Sequence, residues 1–166
     1  MQGNVRMLLL DAQGIPLAER TSKNSVMRGG GELIARLFAG QGSPITHMAV
    51  GTSDAATPDD FSLAGLKNEA AGETPALAGP TDVELATKAF TITVNAEKRL
   101  VTVKIRGTLP NASAVGTIRE AGLLSKGEGG TVLYNRVTFA PLTKGDDHEL
   151  TLFWDVSFPY GDLQWF

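Results

Sequence analysis

The sequence contains no cysteine and only two histidines in 166 residues. The absence of cysteine excludes disulfides and thiolate-bound metals. His47 and His148 lie far apart in the chain, whereas a catalytic zinc ion normally needs three protein ligands. The acidic residues between Asp54 and Asp60 lack the alternating ligands and the central glycine of a calcium-binding loop. We therefore predict no metal site and no cofactor.

Basic residues are not in excess, and no long apolar run is present. The chain has 15 Lys and Arg residues against 18 Asp and Glu residues, which gives a net charge of -3. A nucleic-acid-binding surface needs concentrated positive charge, so we expect no nucleic-acid partner. The apolar run at residues 7–10 is followed directly by Asp11, and it is too short for a signal peptide or a membrane span. These features predict a soluble protein with no membrane partner, and the length predicts a single domain over residues 1–166.

The sequence also lacks a recognisable catalytic motif. Three glycines at residues 29–31 precede a helical pattern, as in phosphate-binding loops, but Glu32 and Leu33 stand where such a loop has lysine followed by serine or threonine. Residues 42–44, Gly-Ser-Pro, do not belong to the Gly-x-Ser-x-Gly motif of a nucleophile elbow and are typical of a turn. We therefore predict no catalytic residues and a protein that is not an enzyme.

Alternation of apolar and polar residues is the dominant pattern that is present. It is typical of antiparallel strands with one buried face. The pattern predicts a mainly β fold, an antiparallel β-sandwich with one short α-helix packed on it. The predicted strands lie at residues 4–22 (a hairpin), 45–50, 90–94, 101–105, 131–140 and 150–158.

One segment has helical periodicity. Leu33, Ile34, Leu37 and Phe38 follow the i, i+3, i+4 spacing of an apolar helix face. Each glycine costs about 1 kcal/mol in a helix relative to alanine, so the glycines at 29–31 predict that the helix begins after them. We expect a helix of two to three turns whose apolar stripe, including Leu37, packs on the sheet.

Between residues 53 and 80 the periodic pattern stops. This segment consists largely of Ala, Gly, Pro, Asp and Thr with isolated apolar residues, and a connection of this length is usually either functional or disordered. We predict an extended arm that orders against a neighbouring subunit, with Phe61, Leu63 and Leu66 as interface candidates. The alternative interpretation is a loose surface loop.

Aromatic residues are concentrated at the end of the sequence. Tyr160, Trp165 and Phe166 lie within a predicted C-terminal tail, residues 159–166. Chain termini are normally polar, and aromatic residues are enriched in interface cores. We predict that these three residues dock on another subunit. The alternative is that the tail folds back on its own core.

Two short motifs carry a resemblance to a known class of proteins. They are Ile-Thr-His-Met-Ala-Val-Gly-Thr at residues 45–52 and Gly-Thr-Ile-Arg-Glu-Ala-Gly-Leu-Leu at residues 116–124. Residues 66–69, 139–144 and 149–158 fit the same pattern. Over residues 24–158 the chain resembles small structural proteins of tailed bacteriophages, in particular the particle-proximal N-terminal region of tail-fibre proteins.

The resemblance implies a virion component that assembles in the host bacterial cytoplasm. It implies a homo-oligomer, a trimer or a ring, that contacts other virion proteins. Because the long shaft of a tail fibre does not follow in this sequence, we expect a tail-associated adaptor, collar or baseplate component. The alternatives are a capsid decoration protein and a carbohydrate-binding module that binds a surface glycan through Tyr134, Tyr160 and Trp165. An enzyme, such as a cell-wall hydrolase, is a third class.

Glu120 lies within the second of these motifs and needs a physical explanation. On a regular strand, Ile118 and Glu120 share one face, and Arg119 and Ala121 share the other. A buried carboxylate without a partner is costly. We predict that Glu120 is a structural polar anchor, held by Arg136 or by backbone amides, rather than a catalytic acid.

Overall fold

The computed structural model describes residues 2–162. The fold is mainly β, with two antiparallel sheets and one short helix, and it is consistent with the predicted β-sandwich. The elements in chain order are β1 (Gln2–Leu10), β2 (Pro16–Lys23), β3 (Ser25–Val26), α1 (Arg28–Phe38), β4 (His47–Gly51), β5 (Asp82–Glu84), a 3-10 turn (Thr87–Ala89), β6 (Phe90–Asn95), β7 (Leu100–Leu109), β8 (Gly116–Gly127), β9 (Gly130–Leu133), β10 (Asn135–Lys144) and β11 (Glu149–Pro159).

The strands form two sheets with different edges. The first sheet has the order β2-β1-β11-β7-β6, and the second has the order β3-β10-β8-β4-β5 with β9 also paired to β8. The predicted hairpin at residues 4–22 is confirmed, with Pro16 at the end of an edge strand. The predicted strand at residues 131–140 is divided at Tyr134 into β9 and β10, because each half bonds to a different stretch of β8.

A single apolar core joins the two sheets. Met7, Leu152 and Trp154 of the first sheet and Met48 and Leu123 of the second are fully buried in one cluster. The sheets approach closely at Gly107, where a Cβ would collide with the Met48 side chain. The alternating apolar residues of β1, β4, β7 and β11 therefore face one another across the sandwich.

The helix begins earlier than the sequence indicates. It spans Arg28–Phe38 and includes all three glycines. At Gly30 a Cβ would collide with the Tyr134 carbonyl oxygen, and the Met27 amide donates to that same oxygen at 2.9 Å. Close packing of the first helical turn on the chain at Tyr134 thus outweighs the low helix propensity of glycine.

The predicted packing of the apolar helix stripe is only partly correct. Leu33 is buried and Ile34 is half-buried against the core. Leu37 is 41% exposed and Phe38 is 93% exposed. The first two turns of the helix cover the sheet, and the last turn extends beyond it.

Candidate interaction surfaces

A buried ion pair lies beneath the long segment at residues 53–80. Glu120 on β8 and Arg136 on β10 each have a side chain that is 2% exposed. Arg136 Nε donates to Glu120 Oε2 at 2.6 Å, and the Lys67 amide donates to Glu120 Oε1 at 2.8 Å. Glu120 therefore has both kinds of partner that its burial requires, the arginine and a backbone amide.

The remaining nitrogens of Arg136 hold the start of the same segment. Arg136 Nη1 donates to the Ala55 carbonyl oxygen at 2.8 Å and to Thr57 Oγ1 at 3.0 Å. Arg136 Nη2 donates to the Ser53 carbonyl oxygen at 3.3 Å. Glu120 and Arg136, together with these backbone contacts, form what we call the ion-pair clamp. The clamp fixes the segment at two separate points of the chain.

The segment also contributes apolar contacts to its own domain. Leu63 and Leu66 pack against a second buried cluster that contains Ala49, Leu124 and Leu133. Both leucines are half-buried against the outer face of the second sheet of their own domain, and their contact with a neighbouring subunit stays a prediction. Phe61 is 42% exposed and remains a candidate for contact with a neighbour.

The predicted strand faces around Glu120 also need correction. Ile118 lies in the core between the sheets and pairs with Leu142, whereas Glu120 faces Lys67 on the opposite side. The β8–β10 register shifts between Thr138 and Leu142. The pairing is therefore not that of a regular strand at this point, and Ile118 and Glu120 do not share a face.

The described residues show neither a metal site nor a membrane-spanning helix. Among residues 2–162, no three His, Asp or Glu side chains come together in a group that could hold a metal ion. No helix in this part of the chain is long and apolar enough to cross a membrane. Both carboxylate oxygens of Glu120 accept hydrogen bonds inside the clamp, an arrangement that stabilises the loop.

An open apolar groove of about 520 Å³ lies between helix α1 and the two sheets. Leu33, Ile34 and Leu37 line its helix side. The residues that line the rest of it are Pro44, Ile45, Thr46, Glu84, Leu85, Thr87, Phe90, Val103, Ile105, Leu123, Tyr134, Val156 and Phe158. Most of this surface is aliphatic or aromatic, which is typical of a binding site for an apolar segment.

The apolar surface continues onto the edge strand β6. Ile92 is 69% exposed and Val94 is 67% exposed. Ile92 pairs with Val103 and Val94 pairs with Val101, so both lie on the same face of the sheet as the groove. We call Ile92 and Val94 the overhang, because the first sheet extends here beyond the cover of the second. Strand β6 has no charged residue, unlike edge strands that are protected against pairing.

The Tyr134 side chain is buried beside the groove. Tyr134 is only 4% exposed, and burial raises the pKa of its phenol to about 12. Because Tyr134 is buried, it cannot stack on a glycan, in contrast to the expectation for a carbohydrate-binding module. Of the other two predicted stacking residues, Tyr160 is 40% exposed.

Of the C-terminal interface candidates, Tyr160 directly follows β11, at the end of the strand where Phe158 lines the groove. The Tyr160 amide donates to the Arg99 carbonyl oxygen at 3.0 Å, beside the β6–β7 turn. Trp165 and Phe166 lie outside the described residues.

Sequence reasoning missed the overhang. The alternation of Ile92 and Val94 with threonine predicts that both residues face a core. It gives no sign that the second sheet does not extend over them.

The outer face of the first sheet is polar, in contrast to the groove. Arg6 and Arg106 lie with their guanidinium carbons 4.5 Å and 5.6 Å from the centre of the Phe153 ring. Lys104 Nζ lies 3.4 Å from the Asp155 carboxylate. The arginines occupy the exposed aromatic face, so Phe153 is not an open platform for sugar stacking.

Comparison of the chain with family models, with curated proteins and with solved structures finds no match. Its function is therefore inferred from the geometry of these surfaces and from the sequence motifs.

Proposed function

We propose that this chain is a structural protein of a tailed-bacteriophage virion, associated with the tail, and that it works through symmetric contacts between subunits. One observation carries the proposal: none of the described residues 2–162 covers the continuous apolar surface formed by the groove and the overhang. A continuous exposed apolar surface marks an interaction site. The motifs at residues 45–52 and 116–124 support a virion component.

The edge strand supports self-assembly in particular. An uncharged, exposed strand such as β6 offers unpaired backbone groups to a neighbouring chain. Symmetric assemblies repeat one modest interface many times, so a small domain with one open apolar surface fits this role. The proposed state is a trimer or a ring in contact with other virion proteins.

The proposal is tested by locating the protein on particles. An antibody against the purified chain is applied to virions of a phage that encodes it, and the particles are viewed by electron microscopy. We expect label at the tail, and label over the head would indicate a capsid decoration protein instead. Intact virions that carry no label, and no peptides of this chain by mass spectrometry, would contradict a virion role.

A further inference from the structure

The outer face of the first sheet carries concentrated positive charge. An open depression of about 490 Å³ lies on this face, which we call the basic face. The charged residues that line it are four basic ones and one acidic one: Arg6, Lys88, Lys104, Arg106 and Asp155. The whole chain, in contrast, has a net charge of -3. The basic face therefore attracts negative charge although the protein as a whole is acidic.

The strand register brings these charges together in two adjacent rows. Phe153 on β11 pairs with Arg6 on β1 and with Arg106 on β7, and both guanidinium groups lie beside its ring. Two residues further along β11, on the same side of the sheet, Asp155 pairs with Lys104. The positive groups are thus fixed by regular pairing of three neighbouring strands.

Part of this positive charge has no partner within residues 2–162. Arg6 and Lys104 each lie near one exposed carboxylate, at 3.5 Å and 3.4 Å. Lys88 and Arg106 are exposed, and neither forms a salt bridge with a described residue. Two positive charges of the basic face are therefore available to a binding partner.

The segment at residues 53–80 carries the opposite charge. It contains one basic residue, Lys67, and five acidic residues, all of them exposed: Asp54, Asp59, Asp60, Glu69 and Glu73. None of the five forms a salt bridge with a described residue. The segment therefore presents unpaired carboxylates to its surroundings, and we call it the acidic segment.

We propose that the basic face binds the acidic segment of a second copy of this chain. This inference rests on the proposed assembly and names the contact that orients neighbouring subunits. Complementary charge on two surfaces fixes their register and disfavours wrong partners, since like charges that meet in an interface are costly.

The acidic segment cannot reach the basic face of its own domain. The ion-pair clamp holds residues 53–57 and the Lys67 amide over the second sheet, and Leu66 packs on the outer face of that sheet. The basic face lies on the outer side of the first sheet, and the apolar core separates the two sheets. The partner is therefore another molecule, and a second copy carries the complementary charge.

A contact of this kind is head to tail, because it joins two different surfaces of the chain. Repeated head-to-tail contacts close into a ring when the rotation between neighbours is a whole fraction of a turn. The basic face also borders the groove: Lys88 and Thr91 line the depression, whereas Thr87 and Phe90 line the groove. A copy docked on the basic face thus lies next to the apolar surface that the proposed assembly covers.

Charge reversal on each surface, alone and in combination, tests the contact. The basic-face variant is Lys88→Glu/Arg106→Glu, and the segment variant is Asp54→Lys/Asp59→Lys. All four residues are exposed and outside salt bridges within the described chain. The combined variant carries all four changes and has the net charge of the wild type.

The matched control for net charge is Arg36→Glu/Lys98→Glu. It changes the charge by the same amount as the basic-face variant, at two exposed residues outside the depression. Association is measured by light scattering over a concentration series, and circular dichroism checks that each variant is folded. Measurements in about 0.1 M and about 1 M NaCl compare Debye lengths of about 10 Å and about 3 Å.

We expect the basic-face variant and the segment variant each to raise the dissociation constant by about tenfold or more, and the control to change it by less than about threefold. The combined variant is expected to recover assembly, because reversed charges again meet opposite charges. The higher NaCl concentration is expected to weaken the wild-type oligomer, since it screens exposed charges.

Three results would overturn the inference while the proposed assembly stands. The first is a wild-type oligomer that neither variant weakens. The second is weakening by the basic-face variant alone, which would mean that the basic face binds something other than the acidic segment. The third is weakening by both variants without recovery in the combined one. A wild-type chain that is a monomer at every concentration would overturn the proposed assembly together with this inference.

Discussion

The outer face of the second sheet and the apolar groove are covered in different ways. Over the second sheet, residues 53–80 bring backbone amides and carbonyls to Glu120 and Arg136, whose side chains are 2% exposed. At the groove and the overhang, Leu37 remains 41% exposed and Ile92 remains 69% exposed. Buried charges need partners at fixed positions, which this chain supplies itself. An apolar surface needs only complementary area, which a second copy is able to supply.

The largest expected effect is on the ion-pair clamp. Glu120→Ala or Arg136→Ala leaves its buried partner charge unpaired, and we expect a loss of about 3–5 kcal/mol in the free energy of unfolding. Chemical denaturation measures it. Asp155→Ala, which breaks the exposed pair with Lys104, is the control and is expected to cost less than about 1 kcal/mol. Equal losses in the two cases would show that the clamp is not the buried anchor of the loop.

Two leucines of helix α1, one buried and one at the open groove, are expected to differ in how much they contribute to the free energy of unfolding. Leu33→Ala removes a side chain that is 4% exposed, and we expect a loss of about 2–5 kcal/mol in the free energy of unfolding. Leu37→Ala, at 41% exposure, is expected to cost less than about 1 kcal/mol in the dissociated chain. Thermal or urea unfolding at low protein concentration gives both values. Similar losses would mean that the last helical turn is packed on the domain.

The titration of Tyr134 tests how well its phenol is buried beside the groove. An unfolded tyrosine ionises near pH 10, whereas burial raises the pKa of folded Tyr134 to about 12. The unfolded chain thus loses this proton first, so the free energy of unfolding falls between pH 10 and pH 12, by about 2–3 kcal/mol from this group. Tyr134→Phe is expected to remove that part of the fall, and Tyr160→Phe is expected to retain it. Identical pH profiles for both variants would show that water reaches the phenol.

Strand positions could be predicted because their signal is local. Alternation in β6, β7 and β11 reports which residues share a face, and the turns between them are short. The extent of the facing sheet depends on contacts that are distant in sequence. Alternation therefore predicted that Ile92 and Val103 are both buried, although of these two residues only Val103 packs against the core. The start of the helix was missed because the close approach of Gly30 to Tyr134 is a tertiary contact.

The ion-pair clamp was predictable in part. The cost of a buried carboxylate indicated that Glu120 needs a partner, and Arg136 stands on a neighbouring strand. The role of Lys67 and of the Ser53 and Ala55 carbonyls was not predictable, because backbone groups carry no sequence signal. The irregular pairing of β8 and β10 between Thr138 and Leu142 likewise has no local signature, so the sequence did not indicate that Ile118 and Glu120 lie on different faces.

The most direct test of the open groove as an assembly surface is the native mass of the purified chain. Light scattering behind size exclusion is carried out over a concentration series, with Leu37→Gln and Phe38→Gln beside the wild type. We expect a discrete trimer or larger ring for the wild type and for Phe38→Gln. On dilution, Leu37→Gln is expected to dissociate at protein concentrations at which the wild type is still assembled. A 17.5 kDa monomer at every wild-type concentration would contradict assembly through this surface.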